Sequence, residues 1–390
     1  MIDSDITILG AGPVGATLSL LLASRMPDPT RLRLCRVARP PRPADQVATA
    51  TGVRSLALNH GSRTLLESLG AWPAQGARIH TIHVSQRGRL GRTLIRHTDF
   101  DVPELGTVHA YDQLAAMLDQ ALAASGVQVL EGPPAAITGE IQGGLRLAQG
   151  DALWTSRLVV RAEGGADAAP AIEREYDQHA ILTTVQASAP LDGWAWERFT
   201  RDGPLALLPL RQAGSQTTHS LVWCCRPAQA RALMATSTAG FAEALNTAFG
   251  ARLGRLGVTG PRLVQPLRLR WRRETLGPRR IAIGNAAQTL HPVAGQGLNL
   301  GLRDAAQLAH ELGPWLARPE ADPMPVLRRY ADRRRADRLI SGAVTDLLPR
   351  VFSTGLSPVE HACGLALLAL DTLPGLRSPL TRQLLLGLRS

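Results

Sequence analysis

Two stretches of this chain carry residue types at spacings that do chemistry. The first is Gly10-Ala11-Gly12-Pro13-Val14-Gly15, a GxGxxG arrangement near the amino end. Gly10 permits a tight turn, Gly12 lets the backbone approach a pyrophosphate, and Gly15 lets a helix pack closely on a strand. The helix that starts at about Pro13 offers its first N–H groups and its dipole to phosphates. Glycines at this spacing also serve ordinary turns. Placement after a strand and before a helix favours dinucleotide binding. The second stretch runs from Gly284 and Asn285 through Gln288, His291 and Pro292 to Gly295-Gln296-Gly297-Leu298-Asn299. It joins a strand end, a bend at Pro292 and two glycines opening a helix. Backbone N–H groups there can face a ribityl chain, a phosphate or a flavin carbonyl, although the bare pattern also fits a plain strand–loop–helix junction.

The elements around these stretches follow from apolar periodicity. Residues 5–9 form a short apolar run that stops at Gly10, the pattern of a buried parallel strand. A helix over 13–24 and a strand over 31–37 complete a strand–loop–helix–strand unit. Further segments read as a helix at 62–69, a strand at 80–85, an amphipathic helix at 112–125 and strands at 127–130 and 158–162. Between about 172 and 270, strand-like runs separated by Gly and Pro turns predict an inserted, mostly antiparallel sheet. A buried strand returns at 280–284, and helices follow at 298–312, 326–348 and 358–373, with breaks at Pro349 and Pro374. The expected fold class is α/β. A discontinuous Rossmann-type domain covers 1–171 with 271–325, a β-sheet substrate domain covers 172–270, and C-terminal helices cover 326–390.

Composition narrows the partners. The formal net charge is +11, and every basic residue is Arg. The densest stretch, Arg328 to Arg338, carries Asp332 and Asp337 within it, and reads either as a solvated helix face or as a surface for anionic lipid. Nucleic acid is not an expected partner, because no binding motif accompanies the charge. Cys35, Cys224, Cys225 and Cys363 lack metal-ligand spacing, so no metal site is expected and a reduced, cytoplasmic setting fits. The amino end has no basic region before its first strand and is not read as a signal peptide. No apolar run is long enough to span a bilayer.

The Gly284–Asn299 segment resembles the second FAD motif of the class A flavoprotein monooxygenases. Its Asn285 and Gln288 match the 2-octaprenyl-6-methoxyphenol form found among the ubiquinone-biosynthesis hydroxylases, where most relatives have Asp and His. Arg54-Ser55-Leu56-Ala57-Leu58, Tyr176-Asp177-Gln178-His179-Ala180, Glu197-Arg198-Phe199-Thr200, Gly203–Pro209 and Arg334–Asp337 are similar to other segments of that group. The resemblance runs nearly end to end.

It implies FAD as cofactor and NAD(P)H as co-substrate. O2 then forms a C4a-hydroperoxyflavin, and an oxygen atom is transferred to the ring of a polyprenyl phenol. The tail of such a substrate suits peripheral attachment to an anionic membrane surface, the inner membrane among the candidates, and membership of a ubiquinone-biosynthesis complex. The expected cofactor-binding residues are Gly10, Gly12, Pro13, Gly15, Arg36, Arg54, Glu163, Gly164, Gly284, Asn285, Pro292, Gly295, Gln296, Gly297, Leu298 and Asn299. His291 is the candidate for a direct chemical role, and Trp194, Trp196 and Phe199 are candidates to line an aromatic pocket. Two positions depart from the family pattern. Arg36 stands where the second strand ordinarily ends in an acid that takes the ribose hydroxyls. Glu163-Gly164 replaces Asp-Gly, with Ala168 where an Arg is usual. The departures leave an alternative open: a relative with weak or lost FAD binding that serves as a lipid-binding or scaffold component.

Overall fold

The computed structural model describes residues 2–38, 54–164, 172–211, 218–291 and 295–373, together with 375, 381 and 382. Its helices are α1 (Pro13–Ala23), α2 (His60–Ser68), α3 (Tyr111–Ala123) and α4 (Pro227–Ala235), then α5 (Thr238–Phe249), α6 (Gln296–Leu316), α7 (Met324–Phe352) and α8 (Ser357–Thr372). Pro292, Pro374 and the residues after Gly164 in the acid–Gly motif lie outside the described residues.

The strand Ser4–Leu9 is buried along its whole length and pairs in parallel with Leu32–Val37 on one side and Ala152–Arg161 on the other. Parallel pairing continues outward to Gln128–Gly132 and to Arg280–Ala282. Helix α1 buries every residue from Gly15 to Ala23, which is why it is apolar on all sides: it lies on the sheet and is flanked by α3 and α6. Gly15 makes this packing possible, since a Cβ there would sit 1.9 Å from the Gly10 carbonyl oxygen.

The second sheet is antiparallel along Leu263–Trp271, Ile172–Ala187, Thr218–Cys225, Gly203–Leu210 and Trp194–Thr200. It also recruits strands from outside the 172–270 span. Thr81–Gln86 joins Trp194–Thr200 in parallel, and Arg92–Arg96 extends the edge. The reason is burial on both faces. Ile82 and Val84 face a cavity, whereas His83 and Ser85 are buried on the other side. Two helices absent from the strand-based reading, α4 and α5, cover that other side, with Trp223, Phe241 and Phe249 in the shared core.

Helix α7 does not break at Pro349; it continues to Phe352. Proline removes the N–H that would donate to the Thr345 carbonyl, and the helix completes its last turn despite that loss. Phe352 stacks on Phe199 with ring centroids 4.1 Å apart and holds the last turn against the sheet. The arginine-rich part of α7 is divided: Arg328, Arg329, Arg333 and Arg335 are exposed, as a solvated helix face requires, whereas Arg334 and Arg338 turn inward. Arg334 is buried and binds Asp304 and Asp337, Arg338 reaches Gln288, and Arg333 meets Glu311 at 2.6 Å. Among the described residues no helix is long and apolar enough to cross a membrane.

Candidate FAD and substrate site

The two Gly-rich stretches meet at one cavity of about 2480 Å³. Gly10, Gly12 and Pro13 line it from α1, Glu163 and Gly164 from the end of Ala152–Arg161, and Asn285 from the loop after Arg280–Ala282. Gly295, Gln296, Gly297 and Leu298 line it from the start of α6, and Arg36, Arg54 and His291 complete the set. Gly15, Gly284 and Asn299 do not face it. Gly284 sits at φ +57°, with Asp304 accepting its N–H at 3.0 Å. Asn299 is committed elsewhere: its Oδ1 accepts from Asn59 N and Ser62 Oγ, and its Nδ2 donates to the carbonyls of Ala57 and Gly295, all within 2.9 Å. Asn299 therefore offers the site placement of α6 rather than a side-chain contact.

Helix N-termini converge on this space. Neither Gly12 ahead of α1 nor Gly295 ahead of α6 caps its helix through a side chain, and both uncapped termini line the cavity, where a ligand can take up their first-turn N–H groups. One such terminus suits a pyrophosphate, and the other suits a ring carbonyl that gains negative charge. Gly10 is required by its surroundings, with φ +104° and a would-be Cβ only 2.6 Å from Glu163 N. Gly12 and Gly297 behave differently. A Cβ on either would meet nothing within 4 Å, and both glycines line the open cavity.

The acid–Gly departure also has a local explanation. Glu163 Oε1 accepts from Arg161 Nε at 2.8 Å, while Oε2 is buried with no partner among the described residues. A buried carboxylate oxygen of this kind costs free energy unless a donor arrives, and a ribityl hydroxyl is such a donor. The residues present thus fit FAD. Arg54 stands over the Tyr111 ring at 5.2 Å on the same wall.

Beyond the second motif, the cavity runs between the second sheet and the C-terminal helices. Its wall there includes Leu208, Val222 and Leu267 from the sheet and Ile340, Val344, Leu348 and Leu367 from the helices. Trp196 and Phe199 are on this wall, whereas Trp194 stacks on Trp196 at 5.3 Å. His291 lies at the junction, buried, with Nε2 3.0 Å from Gln178 Oε1 and its ring edge-on to Tyr176 at 5.0 Å. Burial pushes its pKa down to about 4, against a smaller opposing effect of Asp346. At neutral pH the imidazole is therefore uncharged and a poor base.

His83 and His219 are likewise pushed down to about 4, chiefly by burial. A histidine whose folded pKa lies below its unfolded value stabilises the fold fully above about pH 6.5 and loses that contribution as the pH falls toward 4. Thermal unfolding followed from pH 8 to 4.5 is expected to hold its midpoint down to about pH 6.5. Below that the midpoint should fall steeply, with a loss of stability on the order of a few kcal/mol from the three rings together. A flat midpoint to pH 5 would show that these rings are not held neutral.

Comparisons with known proteins agree with the geometry. The FAD binding domain family matches residues 3–338. The chain is 33% identical to 3-demethoxyubiquinol 3-hydroxylase of Escherichia coli (strain K12), over 94% of this chain and 95% of that protein. The chain belongs to the ubiquinone-biosynthesis hydroxylases, FAD-dependent class A monooxygenases. The hydroxylase is also 27% identical to the human ubiquinone biosynthesis monooxygenase COQ6, mitochondrial, over 91% of this chain and 86% of that one. In fold it is similar to p-nitrophenol 4-monooxygenase PnpA from Pseudomonas putida DLL-E4, with TM-score 0.73, 15% identity, and 100% and 99% of the two chains covered. The flavin-dependent brominase Bmp2 gives TM-score 0.72 at 15% identity, over 99% of this chain and 94% of that one.

Sequence reasoning missed the groups that hold these loops in place. Asp304, 1% exposed, accepts from Gly284 N and Gln288 Nε2 at 3.0 Å each and from Arg334 Nε at 2.8 Å. Asn59, Ser62, Asp119 and Glu131 were missed as well. The one available signal was the polar Asp304 on the apolar face of a helix that opens at the second motif.

Proposed function

We propose that this hydroxylase transfers one oxygen atom from O2 to the aromatic ring of a polyprenyl phenol in ubiquinone biosynthesis, with NAD(P)H as reductant. The observation that carries this reading is the continuity of the cavity from the Gly10–Gly12 loop to the apolar wall at Ile340, Val344 and Leu348. Its volume, about 2480 Å³, exceeds the roughly 300–1,000 Å³ of a common small-molecule site, so a dinucleotide leaves room for a ring and an apolar chain. FAD, when bound, supplies the redox chemistry that couples the reductant to O2. The chain's own residues do the rest. Gly10, Gly12, Gly164, Asn285 and Gly297 hold the cofactor, and the apolar wall excludes water from the reacting ring. His291, uncharged, serves as a fixed hydrogen-bonding group for the phenol side of the site rather than as its proton acceptor. The 2-octaprenyl-6-methoxyphenol form suggested by Asn285 and Gln288 is the proposed branch of the family.

The scaffold alternative raised by Arg36 and Glu163 gains no support from the cavity wall, where Gly12 and Gly297 keep cofactor space open. Peripheral attachment to an anionic membrane, and to a biosynthetic complex, remains part of the proposal. Leu347 and Leu365, 58% and 65% exposed, support it because they face out from the same helices that line the apolar arm, and Leu356 between those helices is 60% exposed. Val344→Trp tests the substrate reading, since Val344 lines the arm without belonging to a core cluster. The variant is expected to raise KM for a phenol with a multi-isoprene tail by about tenfold or more, consistent with several lost apolar contacts. KM for the same ring without a tail should hold. Equal effects on both substrates would sink the assignment of the arm to the tail.

A further inference from the structure

Arg36 stands at the end of the strand Leu32–Val37, where a dinucleotide fold ordinarily presents a carboxylate to the adenosine ribose. A guanidinium has donors only. It cannot accept the two hydroxyl protons of a ribose diol, so the ordinary contact is impossible at this position.

The structure places two acceptors around it. Asp119 on α3 binds Arg36 Nη2 through Oδ1, and Glu131 on Gln128–Gly132 lies 3.4 Å from Nη1 through Oε1. Arg36 and Glu131 are register partners in adjacent parallel strands, so their approach is set by the backbone and not by a chance rotamer. One cation and two anions leave the cluster with a single negative charge, the charge of the lone acid it replaces. Each carboxylate spends one oxygen on the guanidinium; among the described residues the second oxygen of each has no donor, so it can accept one from a ligand. Their side chains are 50% and 61% exposed, and both line the cofactor cavity with Arg36, Ala115 and Leu118.

We propose that Asp119 and Glu131 together form the ribose-hydroxyl subsite for the adenosine half of FAD, with Arg36 as the positioning residue that draws them to the end of its strand. An arginine alone at this point would suit a 2′-phosphate. Flanked by two carboxylates, it does not, because the cluster repels a phosphate dianion.

The test titrates the full-length apoprotein with FAD, followed by quenching of flavin fluorescence, and with ADP, 2′-deoxy-ADP and 2′,5′-ADP by calorimetry. For Asp119→Asn with Glu131→Gln, the FAD Kd is expected to rise about ten- to a hundredfold, the effect of losing charged hydrogen bonds. Wild-type protein should prefer ADP over 2′-deoxy-ADP by about tenfold, and the double variant should show a ratio near one. Arg36→Glu combined with Glu131→Gln returns an acid to the strand end and should recover most of the lost FAD affinity. An unchanged FAD Kd and an unchanged ADP ratio in the double variant would overturn the proposal, as would tighter binding of 2′,5′-ADP than of ADP to the wild type. Failure of wild-type protein to bind FAD at all would contradict the family assignment instead.

Discussion

Gly12→Val is expected to abolish useful FAD binding while leaving the apoprotein folded. The backbone at Gly12 has φ −71° and ψ 176°, a conformation that valine adopts readily. A Cβ there meets nothing within 4 Å, so nothing in the fold must move. The added side chain instead stands where the backbone must approach the pyrophosphate and screens the N–H groups of α1 from it. The FAD Kd should rise by about a hundredfold or more, with the apoprotein unfolding free energy changed by less than about 1 kcal/mol. Gly15→Ala makes the contrast, because its Cβ would lie 1.9 Å from the Gly10 carbonyl oxygen and the loop itself would be displaced. That variant should lose stability as well as flavin. Retention of near wild-type FAD affinity by Gly12→Val, measured by equilibrium dialysis, would mean that the pyrophosphate lies elsewhere.

Asp304→Ala should be among the most destabilising single changes in the chain. Its carboxylate is buried, pairs with a buried guanidinium and anchors both Gly284 N–H and Gln288. Removing it leaves Arg334 with Asp337 as its remaining carboxylate and leaves the Gly284 N–H in a dry interior without its acceptor. Breaking a buried pair in this way costs about 3–5 kcal/mol. Because Gly284 and Asn285 begin the loop that lines the cavity, FAD affinity should fall in the same variant. The surface pair Arg350–Asp346 provides the comparison, with side chains 42% and 26% exposed. Asp346→Ala should cost less than about 1 kcal/mol by urea denaturation. Similar losses for the two alanine variants would show that the Asp304 network carries no special weight.

What was legible in the residues divides along physical lines. Contacts local in sequence were readable: Ser4–Leu9 had to be a buried strand, and Gly10 to Gly15 had to turn onto a helix. The second motif was readable from its length and composition, and it carried the resemblance. Groups that act across sequence distance were not. Asp304 on α6 meets Gly284 20 residues earlier in the chain, Arg334 arrives from the next helix, and Glu131 reaches Arg36 only through strand pairing. Thr81–Gln86 carried a strand signal, yet nothing local told which sheet it would join or that Arg92–Arg96 would pair with it. Helices α4 and α5 carried start signals in Pro227 and in Ser237, whose side chain accepts from Gly240 N, but strand-like runs on either side masked them. Arg36 is the clearest case. Alone it looked like a lost cofactor contact, and with its two carboxylates it restores the missing charge.

The most direct measurement supplies purified, FAD-loaded hydroxylase with NAD(P)H, isotopically labelled dioxygen and a prenylated phenol, and weighs the product by mass spectrometry. A single labelled oxygen on the aromatic ring, formed in step with reductant consumption and lost in Gly12→Val, is the predicted result. Reductant consumption with no labelled product from any prenylated phenol, or a ring oxygen drawn from labelled water, would contradict the proposed oxygen transfer.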